Sequence, residues 1–282
     1  MLTRNAKLLC CIDPATQSGL EVGPLATPIV TREMGSIRYV DYATSEQLKA
    51  KYTGSPNVDT SRIVEVDYVW GVQSLPELAK EAAPFDYAIA SHVIEHVPDF
   101  ISWLQEMRAV LKPGGILSLA IPDKQFCFDY YRHVTKPADV IESYLRRSRK
   151  PSPRQIFDYL SSAVSRQGMI SWDTAVNDWE LTPIHSESEA WKMAYDSFIS
   201  DSYLDAHCWV FTPSSFLRLL KSLMNLELFD FKIVQFYETA GSEFFVSLEA
   251  LDSHLDKATL LQHQLSSLPN IPLQPSEAHT SA

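Results

Sequence analysis

No apolar run in this 282-residue chain reaches the ~20 residues that a helix needs to cross a bilayer, so a helical membrane span is excluded. Basic residues are in deficit. Twenty-four Lys and Arg stand against 35 Asp and Glu, a formal net charge of −11, and a protein that coats nucleic acid with a broad basic face is excluded with them. Cysteine is scarce: Cys10, Cys11, Cys127 and Cys208 show no metal-ligand spacing and two are adjacent, which reads as reduced core thiols of a cytoplasmic protein. The start, Met1 to Ile12, carries Arg4 and Lys7 but lacks the apolar stretch and cleavage site of a secretory signal. A G-x-G-x-x-G turn is also missing, since Gly23-Pro24-Leu25 stands after the first predicted strand, and this speaks against a nicotinamide dinucleotide. No metal ligand set is expected.

The clearest pattern present is Phe85 to Val97, continued by Leu111-Lys112-Pro113-Gly114-Gly115. It reads as a buried strand, a polar loop, a crossover helix, a glycine turn and a second buried strand, which is one βαβ unit of a parallel sheet. Around it the chain alternates. Strands are expected at Gly19–Gly23, Ile37–Asp41, Ile63–Asp67, ending at Ala90, and at Ile116–Ile121. Thr27 with Pro28 predicts a short helix closed by Gly35, and Thr44-Ser45-Glu46-Gln47 has the capping-box pattern for a helix to Tyr52. Ser74 to Glu81 opens a further helix, and Phe100, Trp103, Leu104, Met107, Val110 and Leu111 keep helical spacing, a face that packs on the sheet. Residues 125–206 change rhythm and read as a helical lid or substrate insertion, with candidates at Val140–Arg147, Gln155–Ser165 and Ser188–Phe198. A helix from Thr212 to Met224 and two strands, Phe231–Tyr237 and Glu243–Leu248, complete a domain spanning 1–250, the strands forming an antiparallel hairpin at the sheet edge. Residues 251–282 are expected to form a helix over Leu251–Leu265 and a disordered tail.

Three features converge on a site at the carboxyl ends of the strands, where open α/β sheets bind ligands. Gly23 would let backbone approach a ligand, Asp41 closes the second strand at the spacing that suits ribose hydroxyls, and Asp67 closes the third, where a carboxylate could accept from an adenine amino group. Each carboxylate alone is more often a cap or turn former. Together, Leu20-Glu21-Val22-Gly23-Pro24, Asp41, Asp67, Ser91-His92-Val93-Ile94-Glu95-His96-Val97-Pro98-Asp99 and Leu111-Lys112-Pro113-Gly114-Gly115 resemble the class I S-adenosylmethionine-dependent methyltransferases over residues 15–124. The resemblance implies an α/β, Rossmann-like, doubly wound, seven-stranded and mostly parallel sheet with an antiparallel final hairpin, and S-adenosyl-L-methionine as cofactor. It also implies that Glu21 and Gly23 flank the methionine part, Asp41 holds the ribose, Asp67 the adenine, and Ser91 and His92 line the pocket. The family carries a second glycine where this chain has Leu25, a departure that leaves a non-catalytic scaffold as the alternative to an enzyme.

His92-Val93-Ile94-Glu95-His96 also matches the H-x-x-E-H of inverted zinc peptidases, which needs both histidines in one helix. His92 directly after a strand argues against it. Methyl transfer to a hydroxyl benefits from a base titrating near neutrality, which points to His207, in Asp205-Ala206-His207-Cys208-Trp209, with His96 second; packing roles compete for both. Asp123 and Lys124, after the fifth strand, are placed to contact a small-molecule acceptor, an ordinary ion pair or strand-end turn being the other reading. A loose likeness to methyltransferases of surface-polysaccharide synthesis suggests a carbohydrate precursor, for which Trp172, Trp179, Trp191 and Trp209 could offer stacking faces. Arg146-Arg147-Ser148-Arg149-Lys150, with Arg154, is either a solvated turn or a steering patch for an anionic substrate.

Overall fold

The computed structural model describes residues 2–269 except 72 and 253. A short helix α1 (Arg4–Leu8) precedes β1 (Ser18–Val22) and β2 (Ser36–Asp41). Helix α2 (Ser45–Tyr52) leads to the two-residue β3 (Tyr68–Val69), then α3 (Leu75–Leu78), β4 (Phe85–Ser91), α4 (Phe100–Ala109) and β5 (Leu111–Pro122). Between β5 and the next core helix lie α5 (Pro137–Arg146), α6 (Pro153–Ser162), the strands β6 (Val164–Arg166) and β7 (Leu181–Pro183), and α7 (Glu187–Ser200). Helix α8 (Pro213–Asn225), β8 (Phe231–Ala240), β9 (Glu243–Ala250) and α9 (Lys257–Ser266) follow.

Seven strands form one sheet in the order β3-β2-β1-β4-β5-β9-β8, and β6 pairs with β7 as a separate ribbon. The pairs within β1–β5 are parallel and β9 runs antiparallel to both its neighbours, so the chain is an α/β, doubly wound, seven-stranded and mostly parallel sheet with an antiparallel final hairpin. The order reverses between β1 and β4, which lie side by side with Val22 opposite Ala90. Their carboxyl ends therefore open the crevice where such sheets take ligands. Gly19 has its reason here: a Cβ on it would stand 2.0 Å from the ring of Tyr87 on β4.

One face of the sheet is closed by α4 and α8, whose Phe100, Leu104, Met107, Phe216, Leu220 and Leu223 are all buried with Leu20, Leu117 and Phe244. Each such side chain contributes roughly 1.5–3 kcal/mol of transfer free energy. The other face is covered by α1 and the β1–β2 connection, where Leu8, Ile29 and Val30 meet Tyr39, Tyr87 and Phe245.

Thr44 caps α2 with both halves of the capping box, and Thr212 caps α8 with Pro213 behind it, as the residue patterns predict. Other expectations fail for identifiable reasons. No helix forms over 27–35, because the buried Glu21 carboxylate takes the N–H groups of Ile29 and Val30 and the Tyr39 hydroxyl donates to the Val30 carbonyl. Side chains therefore satisfy that backbone from outside, and nothing drives it into a helix. Ile63–Asp67 is not a strand. Val64 donates to the Leu25 carbonyl and Val66 to the Ser45 hydroxyl, so the pairing begins only at Tyr68. Lys112–Gly115 lies within β5, bulging where pairing jumps from Phe85–Leu111 to Tyr87–Ile116. The last helix starts at Lys257 rather than Leu251, because Asp256 is its N-cap; the expected tail from 270 onward lies outside the described residues.

Candidate active site

Gly23 follows β1 with φ +67, and a Cβ there would come within 2.9 Å of Val93 Cγ2. The loop after β4 is thus pressed onto bare backbone. Leu25 is also left-handed, φ 47, which is where a glycine would relieve strain, but its side chain packs against Ala26, Ala43, Leu48 and Ile63. Asp41 is buried at the end of β2. One oxygen accepts the Tyr42 N–H at 2.8 Å and the other receives no hydrogen bond among the described residues. Burial pushes its pKa to about 6 although the Tyr42 N–H and Lys51 pull it down.

Two of the sequence-predicted cofactor residues are otherwise engaged. Glu21 is 2% exposed and turned onto the following turn, bonded to Ile29 N at 2.7 Å and Val30 N at 3.1 Å; burial raises it to about 7. Asp67 precedes β3 instead of ending it. Its carboxylate is held by Arg32 at 3.0 Å, Arg38 at 3.3 Å and the Tyr39 N–H at 2.8 Å, which leaves it committed to the sheet edge and not to an adenine.

At the end of β4, Ser91 accepts from Arg4 at 2.5 Å, and His92, with φ 54, bonds Glu243 through Nε2 at 2.8 Å. Glu243 also chelates Arg4, at 2.7 and 3.0 Å. Burial lowers the His92 pKa, but Glu243 and Glu95 outweigh it and the net shift is upward. Residues 92–98 form turns, so the H-x-x-E-H pair shares no helix.

The extended segment between α7 and α8 lies across this end of the sheet. Tyr203 stacks on Tyr42, with ring centroids 6.4 Å apart, and Asp205 bonds His96 Nδ1 at 2.9 Å and lies 3.9 Å from Lys51. The N–H groups of Cys208 and Trp209 donate to the Glu95 carbonyl, and the Trp209 indole donates to the Val97 carbonyl at 2.6 Å. These bonds fix His207, which is 5% exposed and bonded through Nδ1 to Asp129 at 2.5 Å. Asp129 is further paired with Arg132 at 2.8 Å, and Arg132 with Asp158. Burial would raise Asp129, but His207 and Arg132 hold it below the usual carboxylate range.

His96 and His207 are brought together, with ring centroids 4.5 Å apart at 87°, and Phe128 and Tyr159 flank His207 at 4.7 and 5.7 Å. His92, His96, Cys127, Phe128, His207 and Ser242 line a cavity of about 150 Å³. Asp129 was not visible in the sequence, because residues 128–132 form turns and a bend in which its pairing with Arg132 follows no helical periodicity. Glu243 and Asp205 gave no signal at all, being distant in sequence from the residues they hold.

Asp123 is turned inward, not towards an acceptor. It caps the turn that follows β5, accepting from Gln125 N and from the Thr239 hydroxyl at 2.7 Å. Lys124 stands over the Tyr130 ring at 5.9 Å, and burial lowers its pKa. Trp172 and Trp209 are core residues, while Trp179 and Trp191 are exposed. In the basic stretch, Arg146 pairs with Glu142, Lys150 with Asp201 and Arg154 with Asp139, as a solvated turn does. All four cysteines are free, but Cys10 is exposed and Cys11 half-buried, so only Cys127 and Cys208 are core thiols.

A protein-family model described as a methyltransferase domain matches residues 12–228. The ubiquinone biosynthesis O-methyltransferase of Ruegeria pomeroyi is 29% identical over 132 residues, 42% of this chain and 52% of that protein, so the match spans about half of the relative's length. Among solved structures, a putative S-adenosylmethionine-dependent methyltransferase from Listeria monocytogenes covers 88% of this chain and 95% of its own at 12% identity and a TM-score of 0.43. An S-adenosylmethionine-dependent methyltransferase from Mesorhizobium loti covers 86% and 95% at 12% identity and a TM-score of 0.41.

Proposed function

The chain belongs to the methyltransferase-domain family, of the class I type that uses S-adenosylmethionine, and on that footing we propose that it methylates a hydroxyl or amine of a small-molecule acceptor. The observation that carries this reading is the Asp129–His207 pair beside His96, on a cavity at the ligand-binding end of the sheet. Asp41 fits the cofactor, offering a buried carboxylate with an oxygen left for ribose hydroxyls, whereas at Gly23 the positive φ sets the turn and the space a Cβ would fill is taken by Val93. Asp67 does not fit, being spent on two arginines. When bound, the cofactor supplies an electrophilic methyl group on a sulfonium.

The chain's own work is alignment, exclusion of water and management of one proton. With Nδ1 turned to Asp129, His207 keeps Nε2 for the acceptor's proton; Asp129 holds the ring's orientation and stabilises the imidazolium that results. Phe128 and Tyr159 wall the ring from solvent. The name of the Ruegeria relative supports oxygen as the acceptor atom. The acceptor class proposed is a carbohydrate precursor, for which exposed Trp179 and Trp191 are candidate stacking faces.

Calorimetric titration with S-adenosylmethionine and S-adenosylhomocysteine, with NAD as control, tests the reading. Micromolar binding of the adenosyl ligands alone is expected. No binding by folded protein would overturn it in favour of a scaffold that keeps the fold.

A further inference from the structure

Glu95 is the least explained residue of the molecule. It is 0% exposed, and neither carboxylate oxygen has a hydrogen-bond partner among the described residues; His92 Nδ1 lies 3.5 Å from one of them. Burying a carboxyl group without partners is costly, and such groups are found paired or on metal ions. Here the two histidines of the cavity stand beside it: one ligand atom from each of Glu95, His96 and His207 lies within 4.8 Å of the others.

We propose that Glu95, His96 and His207 bind a divalent first-row transition cation, zinc foremost, at the acceptor end of the active site. Two features beyond proximity support this. Each histidine has its Nδ1 held by a carboxylate, His96 by Asp205 at 2.9 Å and His207 by Asp129 at 2.5 Å. This carboxylate–histidine arrangement fixes the ring and leaves Nε2 as the ligating atom. The donor set of two imidazoles and one carboxylate suits zinc and its neighbours rather than magnesium or calcium, which favour all-oxygen shells. Ligands around an ion at ~2.0–2.2 Å lie about 3–4 Å apart, so the triad closes by roughly an ångström on binding.

Three protein ligands leave a position open, as at catalytic rather than structural zinc. Resting on the function proposed above, an acceptor oxygen takes that position. The cation accepts an oxygen lone pair, the O–H bond breaks with its electrons staying on oxygen, and the proton leaves to water. His207 Nε2 is then a ligand and not the base. In the H-x-x-E-H motif the second histidine and the glutamate thus do bind a metal, but with a partner from the α7–α8 segment in place of His92.

The test uses the full-length protein after dialysis against chelator. Calorimetry with zinc chloride and visible titration with cobalt chloride are expected to show one tight site per chain. The cobalt spectrum should lack a thiolate charge-transfer band. Glu95→Gln and His96→Ala are expected to weaken zinc binding at least tenfold, Asp129→Asn to weaken it about 10–100-fold, and Cys10→Ser with Cys11→Ser to leave it unchanged. Wild-type protein that binds neither cation tighter than millimolar, ligand variants that bind as wild type, or a thiolate band implicating Cys127 would overturn the site. Should the variants misfold, the wild-type cobalt spectrum still decides. The same preparation titrated with S-adenosylmethionine keeps the two readings apart. Adenosyl binding with no cation, and methyl transfer that survives chelator, leaves His207 as the base and sinks the metal; cation binding without adenosyl binding sinks the methyl transfer and leaves the site.

Discussion

At the scale of single residues, the carboxylates divide by what burial does to them. Glu21 has a folded-state pKa raised from 4.5 to about 7, so between those values the folded protein holds a proton that the unfolded chain has released. Stability falls as pH rises through that window, by about 3 kcal/mol for this group at most. Glu21→Gln removes the dependence and places an amide N–H against a backbone N–H, at a cost of about 1–3 kcal/mol. Urea unfolding from about pH 5 to about pH 7.5 is expected to show the wild-type advantage shrinking as pH rises; a constant difference would mean that Glu21 does not titrate there. Asp41 carries the opposite consequence for binding. Ribose hydroxyls donate to its ionised form, and with a pKa of about 6 that form is complete only above neutrality. Affinity for S-adenosylhomocysteine is expected to be about tenfold weaker near pH 5 than near pH 7.5, with Lys51 and Asp205 as the facing charges. Asp41→Ala is expected to lose roughly tenfold or more at neutral pH, and its affinity should not vary with pH.

At the scale of elements, the turn after β1 decides whether the departure at Leu25 matters. A left-handed leucine costs about 1–2 kcal/mol, and its partly buried side chain returns a similar amount through Ala26, Leu48 and Ile63. Leu25→Gly is therefore expected to change stability by less than about 1 kcal/mol and cofactor affinity by less than about twofold. Markedly tighter binding in that variant would show that the leucine crowds the cofactor after all. The capping boxes at α2 and α8 set where helices begin irrespective of what packs on them, which is why those starts were legible.

At the scale of the whole molecule, the sheet and the α6–α7 pair have separate apolar clusters, whereas α5 joins the sheet's through Val140. Ile156 and Leu160 on α6 meet Ala190 and Ala194 on α7 and Ala206 beyond it, away from the core around Phe100 and Phe216. Leu160→Ala, at about 2–5 kcal/mol for a buried leucine, is expected to speed hydrogen exchange through α6 and α7 while β1, β4 and β5 stay protected. Equal loss of protection everywhere would mean that the two clusters unfold as one. Because Ala206 precedes His207 directly, the same variant is expected to lower turnover without lowering the affinity for the cofactor.

The sequence by itself determined the alternation of strands and helices, the antiparallel closing hairpin and the starts of α2 and α8, because these depend on local periodicity, caps and turn residues. It also marked Gly23, Asp41 and the Ser91–His96 loop, since strand ends place such residues in the crevice. Only the tertiary structure decided the rest. Glu21 reaches a turn eight and nine positions on, and Asp67 lands before its strand because the preceding residues bond to loops. His96 meets His207, Asp129 meets His207 and Glu243 meets His92 across separations of many tens of residues, contacts that no local pattern encodes. Burial, which turns Glu95 from an ordinary loop acid into a carboxylate with no hydrogen-bond partner among the described residues, is a property of the packed whole.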